Sequence, residues 1–309
     1  MELVTRICAV GEAMLELSAK GEGWALGYGG DTFNTAAHLA RYGRAVSYFT
    51  ALGEDPFSQD LISRWAGEGI STDLVLRDPQ RAPGLYAIST DERGERSFTY
   101  WRKDSAARRM FRLPGARAAI EAASTSNVLV YSLITLAILP PRSRRALFDL
   151  CVRVRAAGGQ VVFDGNYRPR LWRNASEARA ARDQALEICD LGLPTLEDEA
   201  LLDGAQSPEA VARTWRDRGA KEVVVKMGAK GCLASDGQLY PPGAVLDPVD
   251  TSGAGDAFNA GYLNARLQGA HPKDAAREGH RLAAWVIMRR GAVPSNDAVA
   301  PYGASPIRD

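Results

Sequence analysis

From Val128 onward, short apolar runs alternate with segments whose apolar residues recur at helical spacing. NVLVYSLIT, QVVFDGN, LGLPT and KEVVVKMG are runs of the first kind. RSRRALFDLCVRVRAAGG, SEARAARDQALEICD and PEAVARTWRDRGA are of the second. Strand-like runs separated by amphipathic helices predict βαβ units, and hence an α/β fold with a mainly parallel sheet covered on both faces. Ligands of such sheets bind beyond the carboxyl ends of the strands.

The first third follows another pattern. MELVTRICAVGEAMLEL carries Arg6 and Glu12 inside its apolar stretch and reads as a first strand, not as a signal peptide. WALGYGG is extended and leads into the helix TFNTAAHLARYG. GLYAISTDERGERSFTYWR, residues 84–102, has two β-rich arms around DERGER, which predicts a hairpin. A small antiparallel element attached to a parallel sheet reads as a lid. No repeat, low-complexity tract or long linker interrupts the pattern, so residues 1–309 are expected to form one domain with lid excursions roughly at 12–30 and 72–103.

Composition narrows the function by exclusion. With 38 basic and 37 acidic residues the formal charge is +1, which gives no broad field for nucleic acid or an anionic membrane. Any anion must be held by a local site. Cys8, Cys151, Cys189 and Cys232 are scattered, and His38, His271 and His280 make no ligand spacing, so reduced structural thiols and no zinc are expected. The longest uncharged run, residues 124–141, is too short in its apolar part to span a bilayer, and the cytoplasm is the expected location.

Five segments carry candidate chemistry. In DTSGAGDAFNAGYLNARL, Gly253, Ala254 and Gly255 lead into a helix; glycine lets the backbone approach a ligand, and the unpaired N–H groups of a helix start bind anions. Asp256 beside such a site would repel phosphate unless it faces another partner, such as a hydroxyl about to lose its proton. GYGGDTFNTAAHLARYG places Gly30 at a close-approach turn, followed by Asp31 and by Asn34, which can donate and accept. In FTYWRKDSA, Tyr100 and Arg102 share one strand face. FDGNYRPRLW puts Asn166 and Arg168 just past a buried strand, where an arginine can clamp a carboxylate or phosphate with two hydrogen bonds. Lys226 precedes Gly228 and Gly231 and suits the phosphate or adenosine side of a nucleotide. Taken singly, a helix start capped by Asp31 or Thr32, a solvated arginine and an edge lysine are ordinary explanations. There is no GxxxxGK[ST], and GEGWAL lacks the third glycine of a dinucleotide site.

In order from about Val10 to about Gly291, these segments resemble the PfkB, or ribokinase-like, family of sugar kinases. DTSGAGDAFNAG is similar to the family's C-terminal signature and GGDTFNTAAHLARYGRAVSYFTALGEDPF to its N-terminal one. The nearest resemblance is to members acting on keto-deoxy sugar acids, through GEAMLELS with GGDTFN, YWRKDSAA, NYRPRLW, LPTLEDE and VVVKMGAKG. Glu16 stands where kinases of ring sugars usually carry an aspartate.

The resemblance implies a three-layer α/β/α ribokinase-like fold with a small β-sheet lid, and ATP-dependent phosphorylation of the 6-hydroxyl of 2-keto-3-deoxygluconate. Asp256 would be the base, with Gly253, Ala254 and Gly255 around the transferring phosphate. Gly30, Asn34, Tyr86, Tyr100, Arg102, Ile134 and Arg168 would hold the acceptor, the arginines near its carboxylate. Asn166, Arg168, Thr195, Lys226, Gly228, Gly231, Gly253 and Gly255 would line the nucleotide, with adenine near Ala283 and Ala284. Mg²⁺ would arrive with ATP, near Asp198 and Glu197 in place of the family's Asn-x-x-Glu, and Asp250 would help hold a monovalent cation such as K⁺. A homodimer through the lid follows from the same resemblance. The rival readings are another acceptor, namely 2-ketogluconate, keto-deoxygalactonate, fructose or ribose, and a non-catalytic sugar-binding protein on the same fold.

Overall fold

Val128–Ser132 and Gln160–Asp164 lie side by side and send alternate side chains to opposite faces, as the pleat requires. Leu129, Tyr131, Val161 and Phe163 join one hydrophobic core, and Val128, Val130 and Val162 join the other. Burial on both faces is why these runs are continuously apolar.

The structure, a computed structural model, describes residues 4–21, 23–90, 96–244 and 246–303. Its strands are β1 (Arg6–Val10), β2 (Met14–Lys20), β3 (Gly23–Gly29), β4 (Ala45–Gly53), β5 (Ile70–Ser71), β6 (Val75–Asp78), β7 (Leu85–Thr90) and β8 (Arg96–Trp101). They continue with β9 (Val128–Ser132), β10 (Gln160–Asp164), β11 (Leu191–Leu193), β12 (Glu222–Val223), β13 (Val225–Lys226), β14 (Cys232–Leu233) and β15 (Leu239–Tyr240). The helices are α1 (Asp31–Arg41), α2 (Pro56–Gly67), α3 (Ala116–Ala123), α4 (Leu133–Ile138), α5 (Pro141–Ala156), α6 (Ala175–Leu186), α7 (Leu196–Asp203), α8 (Pro208–Asp217), α9 (Ala254–Arg266) and α10 (Pro272–Ile287).

The central sheet runs β12-β11-β10-β9-β1-β4-β5, with β6 also on β4, and its pairings are all parallel. Side chains of α3, α4, α5, α6 and α8 fill the core on one face, and those of α1, α2, α9 and α10 fill the other. The α/β/α expectation holds. A second sheet, β3-β2-β7-β8, is the lid, and β13-β14-β15 form a short antiparallel third sheet.

Three details differ from the sequence reading. KEVVVKMG is two strands: Val224 N–H bonds Gly192 O and Lys226 N–H bonds Pro194 O, after which the chain turns away to pair with β14. Val75–Asp78, inside the expected second lid excursion, pairs with β4 of the central sheet, so the lid strand begins at Leu85. The hairpin β7-β8 is present, although its turn, DERGE at 91–95, lies outside the described residues.

Helix starts divide into two kinds. Those of α2, α6 and α8 are capped by the side chains of Asp55, Asn174 and Ser207, each accepting a backbone N–H. Those of α1 and α9 begin on Gly30 and Gly253 with no side-chain cap, in place of the expected Asp31 or Thr32 cap. No side chain occupies their first-turn amides, and of those of α9 Ala254 N–H meets Thr251 O at 3.3 Å. Among the described residues no helix is long and apolar enough to cross a membrane.

Candidate active site

The two glycine turns meet. Asn34 on α1 donates from Nδ2 to Asp256 Oδ2 on α9 at 2.8 Å, and the Thr35 hydroxyl donates to the Asp256 carbonyl at 3.3 Å. These bonds join residues 222 and 221 positions apart. Glycine is required at each turn. Gly253 has φ +72°, and a Cβ there would lie 2.5 Å from that of Ala292. A Cβ on Gly30 would lie 2.2 Å from the Glu12 carbonyl oxygen.

Asp256 is buried, and its carboxyl is pushed up to about 8. Burial is the first cause, followed by the neighbouring Asp31 carboxyl; the Asn34 hydrogen bond pulls the other way, Asp164 pushes up and Lys226 pulls down. Asp31 is itself raised, first by burial and then by Asp164, against the nearby Ser132 hydroxyl. A desolvated carboxyl of this kind can exchange a proton near neutral pH, as general bases must. Its neighbours at the helix start are amides that can bind an anion.

Beneath the α9 turn lies a closed buried triad. Lys226 Nζ donates to Asp164 Oδ1 at 3.1 Å and to Asn259 Oδ1 at 2.9 Å, while Asn259 Nδ2 donates to Asp164 Oδ2 at 2.9 Å. Lys226, expected beside the nucleotide, thus directs its charge to Asp164 and braces Gly255 from below. Asn166 donates to Asp31 Oδ2 at 3.3 Å, and its Oδ1 is buried without a partner among the described residues.

The acceptor-side residues gather at the lid. Arg102 lies just past β8 and is buried, its Nε donating to Glu12 Oε2 at 2.7 Å and a second nitrogen reaching the same oxygen. The expected carboxylate clamp is therefore already paired with a carboxylate. Tyr86 donates its hydroxyl to Glu16 Oε2 and stacks on Tyr100 at 5.9 Å between centroids, while Tyr100 itself is exposed. Ile134 is half-buried against the core below α4. Arg168 stands apart and half exposed, its Nη1 donating to Tyr167 O at 2.7 Å and to Asp198 Oδ1 at 3.1 Å.

At the other end, Thr195 bridges to Lys226 through the backbone. Gly228 and Gly231 have φ of +56° and +94°, and a Cβ on Gly231 would lie 2.1 Å from Tyr240 O. The same carbonyl meets His280 Nε2 of α10 at 3.0 Å, so the third sheet closes toward the helix that carries half-buried Ala283 and Ala284. Asp250 accepts from Ser252 N–H and Gly291 N–H, each at 2.8 Å, and ties the glycine turn to the loop after α10. Glu197 is exposed, and Asp198 is committed to Arg168. Among the described residues no group of three or more His, Cys, Asp or Glu could hold a metal ion.

Sequence reasoning left Glu12, Asp164 and Asn259 out of the site and gave Asp31, noted beside Asn34, no role in it. A signal existed for two of them. Asp164 ends a buried strand at its carboxyl edge, and Asn259 follows Asp256 by three residues on the same helix face.

Comparison with known proteins agrees with this geometry. Residues 4–299 match the model of the pfkB family carbohydrate kinases. The chain is 44% identical over 304 residues to the 2-dehydro-3-deoxygluconokinase of Escherichia coli strain K12, covering 95% of this chain and 98% of that protein. It is 38% identical over 307 residues to the protein of the same name from Haemophilus influenzae, covering 96% and 97%. Among solved structures it resembles a double-mutant fructokinase of Vibrio cholerae O395 with fructose, ADP and potassium ion bound, at TM-score 0.82, 28% identity and 96% coverage of both chains. With a matched model spanning nearly its whole length and the two signature turns joined at one carboxylate, the chain belongs to the pfkB family of carbohydrate kinases.

Proposed function

We propose that the protein transfers the γ-phosphoryl group of ATP to the 6-hydroxyl of 2-keto-3-deoxygluconate, giving ADP and 2-keto-3-deoxy-6-phosphogluconate. The observation that carries this reading is Asp256, a buried, raised carboxyl held by Asn34 at the open start of α9. Asp256 takes the proton of the sugar hydroxyl, whose oxygen forms the new bond to phosphorus as the bond to the ADP oxygen breaks. Amides of Gly253, Ala254 and Gly255 stabilise the transferring group, which is positioning and electrostatics more than covalent chemistry. A protein that only binds sugar has no need of such a base.

Gly30, Asn34, Tyr86, Tyr100 and Ile134 shape the acceptor pocket, with Arg102 and Arg168 at its charged side. Asn166, Thr195, Gly228, Gly231 and Ala283 line the nucleotide. Asn166 Oδ1, without a partner among the described residues, and the α9 start, which no side chain caps, fit a ligand carrying both hydroxyl and phosphate oxygens. Mg²⁺ would arrive as the companion of ATP, held chiefly by phosphate oxygens and water, and Asp198 would be the carboxylate this chain offers it on leaving Arg168. Asp250, at the junction of two loops, is the residue placed to attract K⁺. Trp24, Leu26, Phe98, Tyr100 and Trp101 expose apolar surface on the lid, and a second copy of the chain covers it in a homodimer. The cytoplasm supplies ATP and is the proposed location.

The test is an ADP-release assay across 2-keto-3-deoxygluconate, 2-ketogluconate, keto-deoxygalactonate, fructose and ribose. The highest kcat/KM is expected for the first. A preference for fructose or ribose would overturn the acid assignment while leaving a kinase in place.

A further inference from the structure

His38 has no metal-binding spacing in the sequence, yet the fold buries it completely on α1. Asn34, His38 and Arg41 succeed one another along one face of that helix, one turn apart. Asn34 holds Asp256, and the other two reach the loop after α10: His38 Nε2 meets Ala292 O at 3.0 Å, and Arg41 Nη1 donates to Pro294 O at 2.6 Å. A carbonyl only accepts, so Nε2 carries the ring proton. Nδ1 is then the acceptor, and the Tyr302 hydroxyl donates to it at 2.7 Å. Burial lowers the pKa of the ring to about 3, opposed by the Ala292 carbonyl and aided by Arg41, so the ring keeps that single proton at neutral pH.

Ala292 is also the neighbour on which the start of α9 rests. A Cβ on Gly253 would lie 2.5 Å from Ala292 Cβ, 2.8 Å from its Cα and 3.0 Å from its O. Gly253 stands in a left-handed turn that no side chain caps, so the place of that turn is set by what packs against it. Asp250 adds a second tie, accepting from Ser252 N–H on the turn and from Gly291 N–H beside Ala292. Deepening the kinase reading above, on which this rests, we propose that His38 is a positioning residue for the phosphoryl-binding turn: its Nε2–H fixes Ala292 O, Ala292 fixes where the first amides of α9 lie, and Tyr302 fixes the tautomer. One helix thereby places both parts of the reaction centre. Asn34 sets the carboxyl of Asp256, and His38, one turn further, sets the support of the turn that receives the phosphoryl group. Such stabilisation depends on donors aligned before the reaction, and a displacement of about 1 Å can cost about a hundredfold in rate.

The experiment measures kcat, the KM for 2-keto-3-deoxygluconate and the melting temperature of the full chain carrying His38→Asn, His38→Gln or Tyr302→Phe. Gln carries its amide nitrogen at the reach of Nε2 and Asn at that of Nδ1, so of the two only Gln restores a donor to Ala292 O. His38→Asn should lower kcat about tenfold, the usual worth of one buried hydrogen bond, with KM unchanged because Asn34 and the lid are untouched. His38→Gln should recover most of that loss. Tyr302→Phe, which keeps Nε2 in place, should lower kcat by only about two- to fivefold, again at constant KM. A lower melting temperature with kcat intact, a loss shared equally by Asn and Gln, or a loss carried by KM overturns the assignment. If His38→Asn does not fold, Tyr302→Phe decides: an unchanged kcat overturns it. Gly253→Ala, measured alongside, separates this proposal from the reading beneath it. If that variant keeps its kcat, the phosphoryl-binding turn is misassigned and the role of His38 falls with it; if it loses kcat while His38→Asn does not, only the role of His38 falls.

Discussion

The floor of the site and its lid are built on opposite plans. On the floor, Asn34 and Asp256 form one buried hydrogen-bonded pair, and Asp164, Lys226 and Asn259 form a buried triad. At the lid, Trp24, Phe98, Tyr100 and Trp101 are exposed. Chemistry common to many sugars needs a base fixed before the substrate arrives, because reorganising dipoles during the reaction raises the barrier. Recognition of one sugar needs groups left incomplete until that sugar completes them. The contrast teaches where to look for each property: buried polar groups for catalysis, exposed lid surface for selectivity.

Perturbing the floor should have the larger effects. Asp256→Asn should lower kcat by about 10²- to 10⁴-fold, the typical contribution of a general base, while calorimetry still detects sugar and ATP binding. The same substitution tests linkage. Asp256 holds its proton to about pH 8 in the folded chain against an ordinary 3.8, so its contribution to stability is full below about pH 4 and is lost as pH rises through 8. The variant should therefore gain in melting temperature relative to wild type as pH increases across that window. Gly253→Ala forces a side chain into a left-handed turn and onto Ala292, and should cost about 1–3 kcal/mol in thermal unfolding together with a fall in kcat.

A gentler probe of the floor is Asp31→Asn. Removing the second cause of the raised Asp256 carboxyl should move the acidic limb of the kcat/KM profile to lower pH, read directly from pH–rate curves. An unmoved limb would assign the rise to burial alone. The smallest effect on the monomer belongs to the lid: Trp101→Ser removes an exposed ring and should change chain stability by only about 0.5 kcal/mol, while sedimentation shows weakened self-association.

Much of the floor was legible in the sequence because its requirements are local. Glycines before a helix, a carboxylate one position later and an asparagine in the opposite turn are residue types that few other structures demand together. The parallel sheet was readable for the same reason, since strands buried on both faces leave continuous apolar runs. Long-range pairing was not legible. Nothing local states that Glu12 would neutralise Arg102, that Lys226 would turn inward to Asp164, or that Arg168 would meet Asp198. An arginine in a sequence is a charge; whether that charge is spent on a neighbour is decided by segments far away in the chain.

Gly30 has a mechanical consequence. Lid strand β3 ends at Gly29, and α1 begins at Asp31, so the single residue between them is both the end of the lid and the first rung of the helix that grips Asp256. Gly30 N–H also reaches Asn34 Oδ1 at 3.3 Å, on the amide whose other end holds Asp256. The lid sheet and the Asp256 carboxylate are thus linked through one glycine and one asparagine amide.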